Sequence, residues 1–565
     1  MSIHIALDNQ PEFYTNLDQV TGRIILRLNR SEQVGSIVVK LEGESVTALQ
    51  VPNPYEESGP RPIGPLPGPP GSIASENHKI LYKVQQVFPD DYYSSSSSPY
   101  GAFPLQPGEH EFPFRFKLPI NNACSDPRAM SKIGGLAGVG GFASGGGLFG
   151  MGGVRVMDGT KQLHLQHVTR TLPPSLTGYP MEAEVRYYIK VTVQRPGFLK
   201  ENWRYQIGYK FLPIEPPRPA PSGQEAFARR PFTFRPRSPG PQSKKKNLFF
   251  ANKGDKTGTD ASGHRGTGVD SPDSAPAPSI EMSARLPHPS VLTCNQPVPL
   301  RLLAKKLANC SEQVSLVSFQ MDLIGVTEVR TYNISNRKVN RWVVISNSDL
   351  NIPLTLGPDA EVGSEVVVPD TLWKDKSLPN TIAPSFLTCN LSRRYEVEIK
   401  LGLCWGKPKS GFINNPPQTI FLPLHFGSIE VFSGITPPPE LVRAARNILP
   451  GRATVNIPPR LPPRPGSSAP NNSSVGPSHA QGQNPISSPL RVSRPQLPHR
   501  PPQDPLYPPQ LLPGQTVPPY DDAPPSYDEA MAENLSGPFD GMQSRPAYSG
   551  VTNENAPSQI PAEKR

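Results

Sequence analysis

Apolar and polar residues alternate in the manner of strands through the first fifty residues. GRIILRLNR (22–30) and SIVVKLEGES (36–45) are each bounded by Gly or polar residues, as half-buried strands are. The pattern breaks over PNPYEESGPRPIGPLPGPPGSIAS (52–75), resumes in ILYKVQQVF (80–88), crosses a run of serines and returns in LQPGEHEFPFRFKLP (105–119). There Phe112, Phe114 and Phe116 alternate with Pro113 and Arg115, which puts three rings on one strand face and predicts that face as core. MEAEVRYYIKVTVQRPG (181–197) and WRYQIGYKFLPI (203–214) add further strands, and no window carries the period of a long amphipathic helix.

From 215 to 278 the apolar pattern lapses into Pro, Ser, Gly and Lys, which is linker chemistry. It returns in VPLRLLAKKL (298–307), QVSLVSFQMDLIGVTEVRTYNI (313–334), RWVVIS (341–346), RRYEVEIKLGLCWG (393–406) and QTIFLPLHFGSIEVFSGI (418–435). Beyond 436, 29 of 130 residues are Pro, too dense for a sheet ladder. The predicted fold is all-β: two tandem antiparallel immunoglobulin-like β-sandwiches at 1–214 and 279–435. Flexible insertions are expected at about 52–75 and 124–158, a basic linker at 215–278, and a disordered Pro-rich tail at 436–565.

Composition sharpens this picture. The 565 residues include 74 Pro and 47 Gly without a Gly-X-Y period, which excludes collagen and assigns much of the Pro to unpacked chain. One uncharged stretch of 22 residues, 133–154, is long enough to cross a bilayer, but eleven of them are Gly, so a loop is expected. Five cysteines (Cys124, Cys294, Cys310, Cys389, Cys404) form no CxxC pair and leave one over, which argues against a disulfide scaffold and a zinc module. The first residues lack a basic-then-apolar signal pattern, so a cytoplasmic protein is expected.

For catalysis the sequence offers no GxSxG, HExxH or Walker pattern. His164 and His167 lie in the strand-like LHLQHV, where alternation would turn them to opposite sides, so no metal site and no cofactor are expected. Charge is concentrated instead. RRPFTFRPRSPGPQSKKK (229–246) carries Arg229, Arg230, Arg235, Arg237, Lys244, Lys245 and Lys246 with no acidic residue, and Phe232 and Phe234 between them. Such a patch suits an acidic cargo segment or an anionic leaflet, where each basic residue contributes about 1 kcal/mol. No nucleic-acid fold signature accompanies it. Ser238 and Ser271, each before Pro, are candidate phosphosites that would cancel positive charge.

The tail contains PPSY, in which Pro524, Pro525 and Tyr527 present a polyproline ridge and a ring to the aromatic groove of a WW domain. VPPY, with Pro518 and Tyr520, is a variant second site, and several such sites in one tail raise avidity. PRLPPR (459–464) and PQLPHR (495–500) fit the PxxPxR pattern that SH3 domains bind.

In their order, LDNQPEFYTNLDQVTGRIILRL, LQPGEHEFPFRFKLP, YPMEAEVRYYIKVTVQRPG, LGLCWG and LPLHFGSIEVFSGI resemble the arrestin fold of α-arrestins, particularly the fungal arrestin-related trafficking adaptors, over about 1–214 and 279–435. The resemblance implies a non-enzymatic adaptor whose PPxY motif recruits a WW-domain HECT-type ubiquitin ligase to plasma-membrane transporters or receptors, promoting their ubiquitination and endocytosis. It also implies recruitment from the cytoplasm to the plasma membrane and endosomes. An arrestin-like signalling scaffold, for example in ambient-pH sensing, shares the body and is the alternative; a retromer-type subunit leaves the tail unused. Receptor-binding arrestins carry an Arg in a strand patterned V-R-x-x-I-R, where VRYYIK offers Lys190. Arg and Lys differ in forked ion pairs, so phosphate-triggered release is not expected and Lys190 reads as a surface lysine.

Overall fold

Gln19–Leu28 (β2) shows why the N-terminal alternation folds as it does: Val20, Ile24, Leu26 and Leu28 are buried while Arg23 and Arg27 on the other face are exposed. The structure is a computed structural model describing residues 1–53, 65–89, 102–131, 165–179, 181–197, 200–220, 222–236, 277–310, 312–355, 360–406, 418–448, 534–540 and 544–548. β2 is central in a three-stranded sheet between β1 (Ser2–Leu7) and β7 (Gly108–Lys117). Phe114 sits opposite Gly22 and Phe116 opposite Val20. A Cβ at Gly22 would strike the Ala6 carbonyl oxygen and the Phe114 ring, so the close packing there requires glycine. Phe114 and Phe116 are buried and Phe112 is half-buried against Phe88, ring centroids 5.5 Å apart, as the alternation predicts.

The facing sheet runs β10 (Trp203–Tyr209), β9 (Ala183–Gln194), β4 (Ser36–Gln50), β5 (Ile73–Phe88), with β8 (Leu176–Tyr179) paired to β9. β3 (Glu32–Val34) and β6 (Phe103–Leu105) form a separate pair. Val185, Tyr187, Ile189, Val191 and Val193 on β9 pack against Ile24, Leu26, Val39 and Leu41, closing the first core. β4 is buried along nearly its whole length on both faces.

In the second sandwich one sheet runs β11 (Glu225–Thr233), β12 (Ser279–Pro287), β14 (Arg301–Lys306), β18 (Glu365–Val367). The other runs β13 (Val291–Thr293), β21 (Gln418–Phe432), β20 (Leu391–Trp405), β15 (Val314–Thr331), β16 (Ile334–Asn347), with β17 (Ile352–Pro353) on β15 and β19 (Phe386–Leu387) on β20. On β20 every second residue from Tyr395 to Leu403 enters the core. The described chain is thus the all-β, two-sandwich architecture expected.

Its boundaries differ from those read in the sequence. The expected linker supplies β11, whose Ala228 is buried, and Phe234 just beyond it is buried against Trp405. Alternation there is masked by Arg and Pro, and Pro231 is tolerated because β11 is an edge strand. The expected insertions are also trimmed: β5 begins at Ile73, and Cys124 is fully buried just before a short helix, Pro127–Ser131. Residues 54–64 and 132–164, including the uncharged glycine-rich stretch, lie outside the described residues. The tail contributes a helix, Pro439–Ile448, and the segments 534–540 and 544–548, which pack on the body. Among the described residues no helix is long and apolar enough to cross a membrane.

Candidate functional site

The two sandwiches meet along two seams of opposite character. The first forms where the β15–β16 turn and the start of β20 reach the first sandwich: Val329, Ile334 and Leu391 complete its apolar core. Around them lie polar residues. Asn390, 1% exposed, donates from Nδ2 to the Ser45 carbonyl at 3.0 Å and to Thr47 Oγ1 at 3.1 Å, and accepts from Ser45 Oγ at 2.6 Å. Thr47 Oγ1 donates to the Arg330 carbonyl at 2.7 Å, and Arg330 Nη2 pairs with Glu76 Oε1 at 3.1 Å. Glu76 also accepts from the Tyr332 backbone N–H. Burial works to raise the Glu76 carboxyl, but His78, Tyr332 and Arg330 outweigh it and hold it below the usual range.

Beside this network four residues of metal-ligating type converge: His78 on β5, Cys124 after β7, His167 before β8, and Cys389 in the turn between β19 and β20. One ligand atom from each lies within 4.8 Å of all the others. The stretch LHLQHV does not form a strand over its described part, 165–168, so alternation does not govern where His167 points; His164 lies outside the described residues. These four are scattered along the chain without any CxxC or HxxH spacing among them, so no local pattern in the sequence marks them as a metal site.

The second seam is aromatic and is closed by the C-terminal segment. Phe13, Leu212, Ile214 and Ile435 cluster with Tyr548, and Leu17 packs against Leu535. Phe13 and Tyr548 meet edge to face at 6.0 Å. Arg545 pairs with Asp18 Oδ2 at 2.8 Å, donates to the Phe13 carbonyl at 3.1 Å and lies over the Phe539 ring at 4.5 Å. Asn295 and Asn380, from the second sandwich, both donate to the Ala547 carbonyl. Burial raises the Asp18 carboxyl above its ordinary range, with Arg545 pulling it back down.

Of the basic patch, Arg229 and Arg230 are exposed on β11 and Arg235 just beyond it; Arg237, Lys244, Lys245 and Lys246 lie outside the described residues. The Arg229 guanidinium covers the exposed Phe227 ring at 4.0 Å. Phe232 and Phe234 face the second core, so they interleave with the arginines without belonging to the exposed patch. A shallow groove of about 430 Å³ runs beside this edge, lined by Phe227, His288, His425 and Glu430 among others. Pro518, Tyr520, Pro524, Pro525 and Tyr527 lie outside the described residues.

In VRYYIK, Lys190 is half-buried on β9, opposite Lys40 and Gln206. The ion pairs of that strand belong to Arg186, whose guanidinium donates from both Nε and Nη2 to Glu44 Oε2 at 3.1 and 2.8 Å. Glu44 and Glu42 also bind the buried Lys79, and Tyr188 donates its hydroxyl to both. Burial would raise Glu44, but Lys79 and Arg186 drive it far below its ordinary value. The arginine of that strand, Arg186, thus makes its ion pair within the first sandwich, four residues before Lys190.

Residues 3–136 match the family described as "Arrestin (or S-antigen), N-terminal domain". The chain is similar to the Arrestin-related trafficking adapter 10 of Lachancea thermotolerans, 27% identical over 127 residues, which are 22% of this chain and 28% of that protein. It is also similar to the Arrestin-related trafficking adapter 10 of Candida glabrata, 31% identical over 121 residues, 20% of this chain and 22% of that protein. The matches thus span less than a third of either relative's length.

Proposed function

We propose that this chain, a member of the α-arrestin family, is a non-catalytic trafficking adaptor that brings a WW-domain HECT-type ubiquitin ligase to plasma-membrane transporters or receptors. The observation that carries the reading is the coupling of an arrestin N-terminal domain, within a two-sandwich body, to a tail bearing Pro524, Pro525 and Tyr527. The kinship with relatives named arrestin-related trafficking adapters supports it. The body engages cargo and the tail engages the ligase, with catalysis residing in the partner. Tyr527 precedes the anchored segment at Asn534 by seven residues, so a ligase held there is tethered to the body through a short length of chain. Pro518 and Tyr520 add a second, weaker contact that raises avidity toward a ligase with several WW domains.

The exposed edge of β11, with Arg229 and Arg230, offers positive charge to an acidic cargo segment or to the anionic leaflet during recruitment from the cytoplasm to the plasma membrane and endosomes. In cells, full-length protein carrying Pro525→Ala with Tyr527→Ala is expected to lose ligase co-precipitation and to leave cargo at the plasma membrane. Undiminished ligase capture by this double variant defeats the proposal. Loss of cargo endocytosis together with retained capture of endosomal-sorting proteins, and no ligase captured by the unmodified chain, would assign the body to a signalling scaffold instead.

A further inference from the structure

We propose that His78, Cys124, His167 and Cys389 form a closed, four-coordinate zinc site that fastens the first sandwich to the second. Two thiols and two imidazoles are the donor set of tetrahedral structural zinc. With Zn–S near 2.3 Å and Zn–N near 2.0 Å, the edges of that tetrahedron fall at about 3.3–3.8 Å. Cys124 Sγ and Cys389 Sγ are 3.4 Å apart, and Cys389 Sγ is 3.7 Å from His167 Nδ1. The thiols are free, and the two histidine rings meet edge to face with centroids at 5.1 Å.

The surrounding groups are those a zinc site uses. His78 is fully buried and its Nε2 is hydrogen-bonded to Glu76 Oε1 at 2.6 Å, which fixes the proton on Nε2 and leaves the Nδ1 lone pair for a metal. That Nδ1 is a buried nitrogen without a hydrogen-bond partner, a cost that coordination removes. Glu76 is in turn held by Arg330, giving a carboxylate–histidine–metal relay with a supported carboxylate. Each sulfur receives a nitrogen donor: Asn122 Nδ2 to Cys124 at 3.3 Å and the Val168 backbone N–H to Cys389 at 3.4 Å. Two thiolates balance the charge of Zn²⁺, so the loaded site is neutral, as a buried site should be. Binding forms two Zn–S and two Zn–N bonds and releases the thiol protons to solvent, without any change of oxidation state.

Four protein ligands leave no open position, so the role is structural. Three ligands belong to the first sandwich and its connections, while Cys389 belongs to the second. The metal therefore closes the interdomain seam.

The test is metal analysis of the full-length chain isolated under reducing conditions without chelator. One zinc per chain is expected, falling to none in Cys124→Ser with Cys389→Ser. Because that variant can fail to fold, the unmodified chain is also stripped with a chelator and titrated with Co²⁺ alone. One equivalent should generate the visible bands of tetrahedral cobalt with thiolate charge transfer, and one equivalent of Zn²⁺ should abolish them. Zinc retained by the double-serine variant, a six-coordinate cobalt spectrum, or a metal-free chain carrying a Cys124–Cys389 disulfide would each overturn the site.

Discussion

The polar seam and the aromatic seam join the same two sandwiches by different physics. At the first, Asn390 and Arg330 belong to the second sandwich and meet Ser45, Thr47 and Glu76, all on central or long strands of the first. Their partners are fixed by β-ladders, so separating the sandwiches there would strand several buried donors and acceptors at once. At the second, Phe13 and Ile435 are bridged by Tyr548 and Arg545 from a short segment at the far end of the chain. That segment is held by a few side chains, which predicts that it can be displaced while both sandwiches stay folded. On this contrast the first seam is expected to set the relative placement of the sandwiches, and the second to act as a cover over it.

The largest test of this contrast is Asn390→Ala. It removes the hydrogen bonds that Asn390 makes with Ser45, Thr47 and Thr388, and at about 1 kcal/mol for each net bond the loss is expected at roughly 3 kcal/mol of global stability. Chemical denaturation of the full chain reads it directly. A loss below about 1 kcal/mol would mean that water replaces these bonds and that the seam is looser than its geometry.

Tyr548→Ala should behave differently. Burial of an aromatic ring contributes about 2 kcal/mol, but here that energy docks a segment and does not build a core. The expected outcome is an increase of roughly 30-fold in amide exchange over 544–548, with the midpoint of global unfolding nearly unchanged. An equal fall in global stability would show the segment to be an integral part of the fold and would erase the distinction between the seams.

Much of the body was legible because its strands obey period-two alternation: β2, β7 and β20 bury the residues their patterns select. What escaped follows one rule. β11 carries arginines and a proline among its apolar residues, and the segment around Tyr548 has three widely spaced anchors, Leu535, Phe539 and Tyr548, diluted in polar chain. The cluster of His78, Cys124, His167 and Cys389 is assembled by tertiary packing from four distant segments, so no local spacing announces it. Conversely, the proposed ligase motif is local chemistry in the tail, readable from Pro524, Pro525 and Tyr527 without any fold at all.

The smallest effect is the most discriminating, because it depends on pH. Burial holds the Asp18 carboxyl above its ordinary value despite Arg545, so Asp18 by itself favours the folded body at acidic pH, and that contribution is lost as pH rises through the raised folded-state pKa. Arg545 limits the loss, since it pairs with the ionised carboxylate alone. Arg545→Ala lifts the Asp18 pKa further, so the variant should match the unmodified chain at low pH, where Asp18 is protonated in both, and fall behind it as pH rises. At neutral pH the deficit is expected at about 1 kcal/mol or more, since the guanidinium is partly exposed but the carboxylate it serves is buried. Amide exchange of 544–548 followed across pH measures it. The Asn390→Ala deficit, which involves no titrating group at the substituted position, should stay level over the same range, and a deficit for Arg545→Ala that is equally level would show that the aromatic ring contacts of the guanidinium, and not Asp18, hold the cover in place.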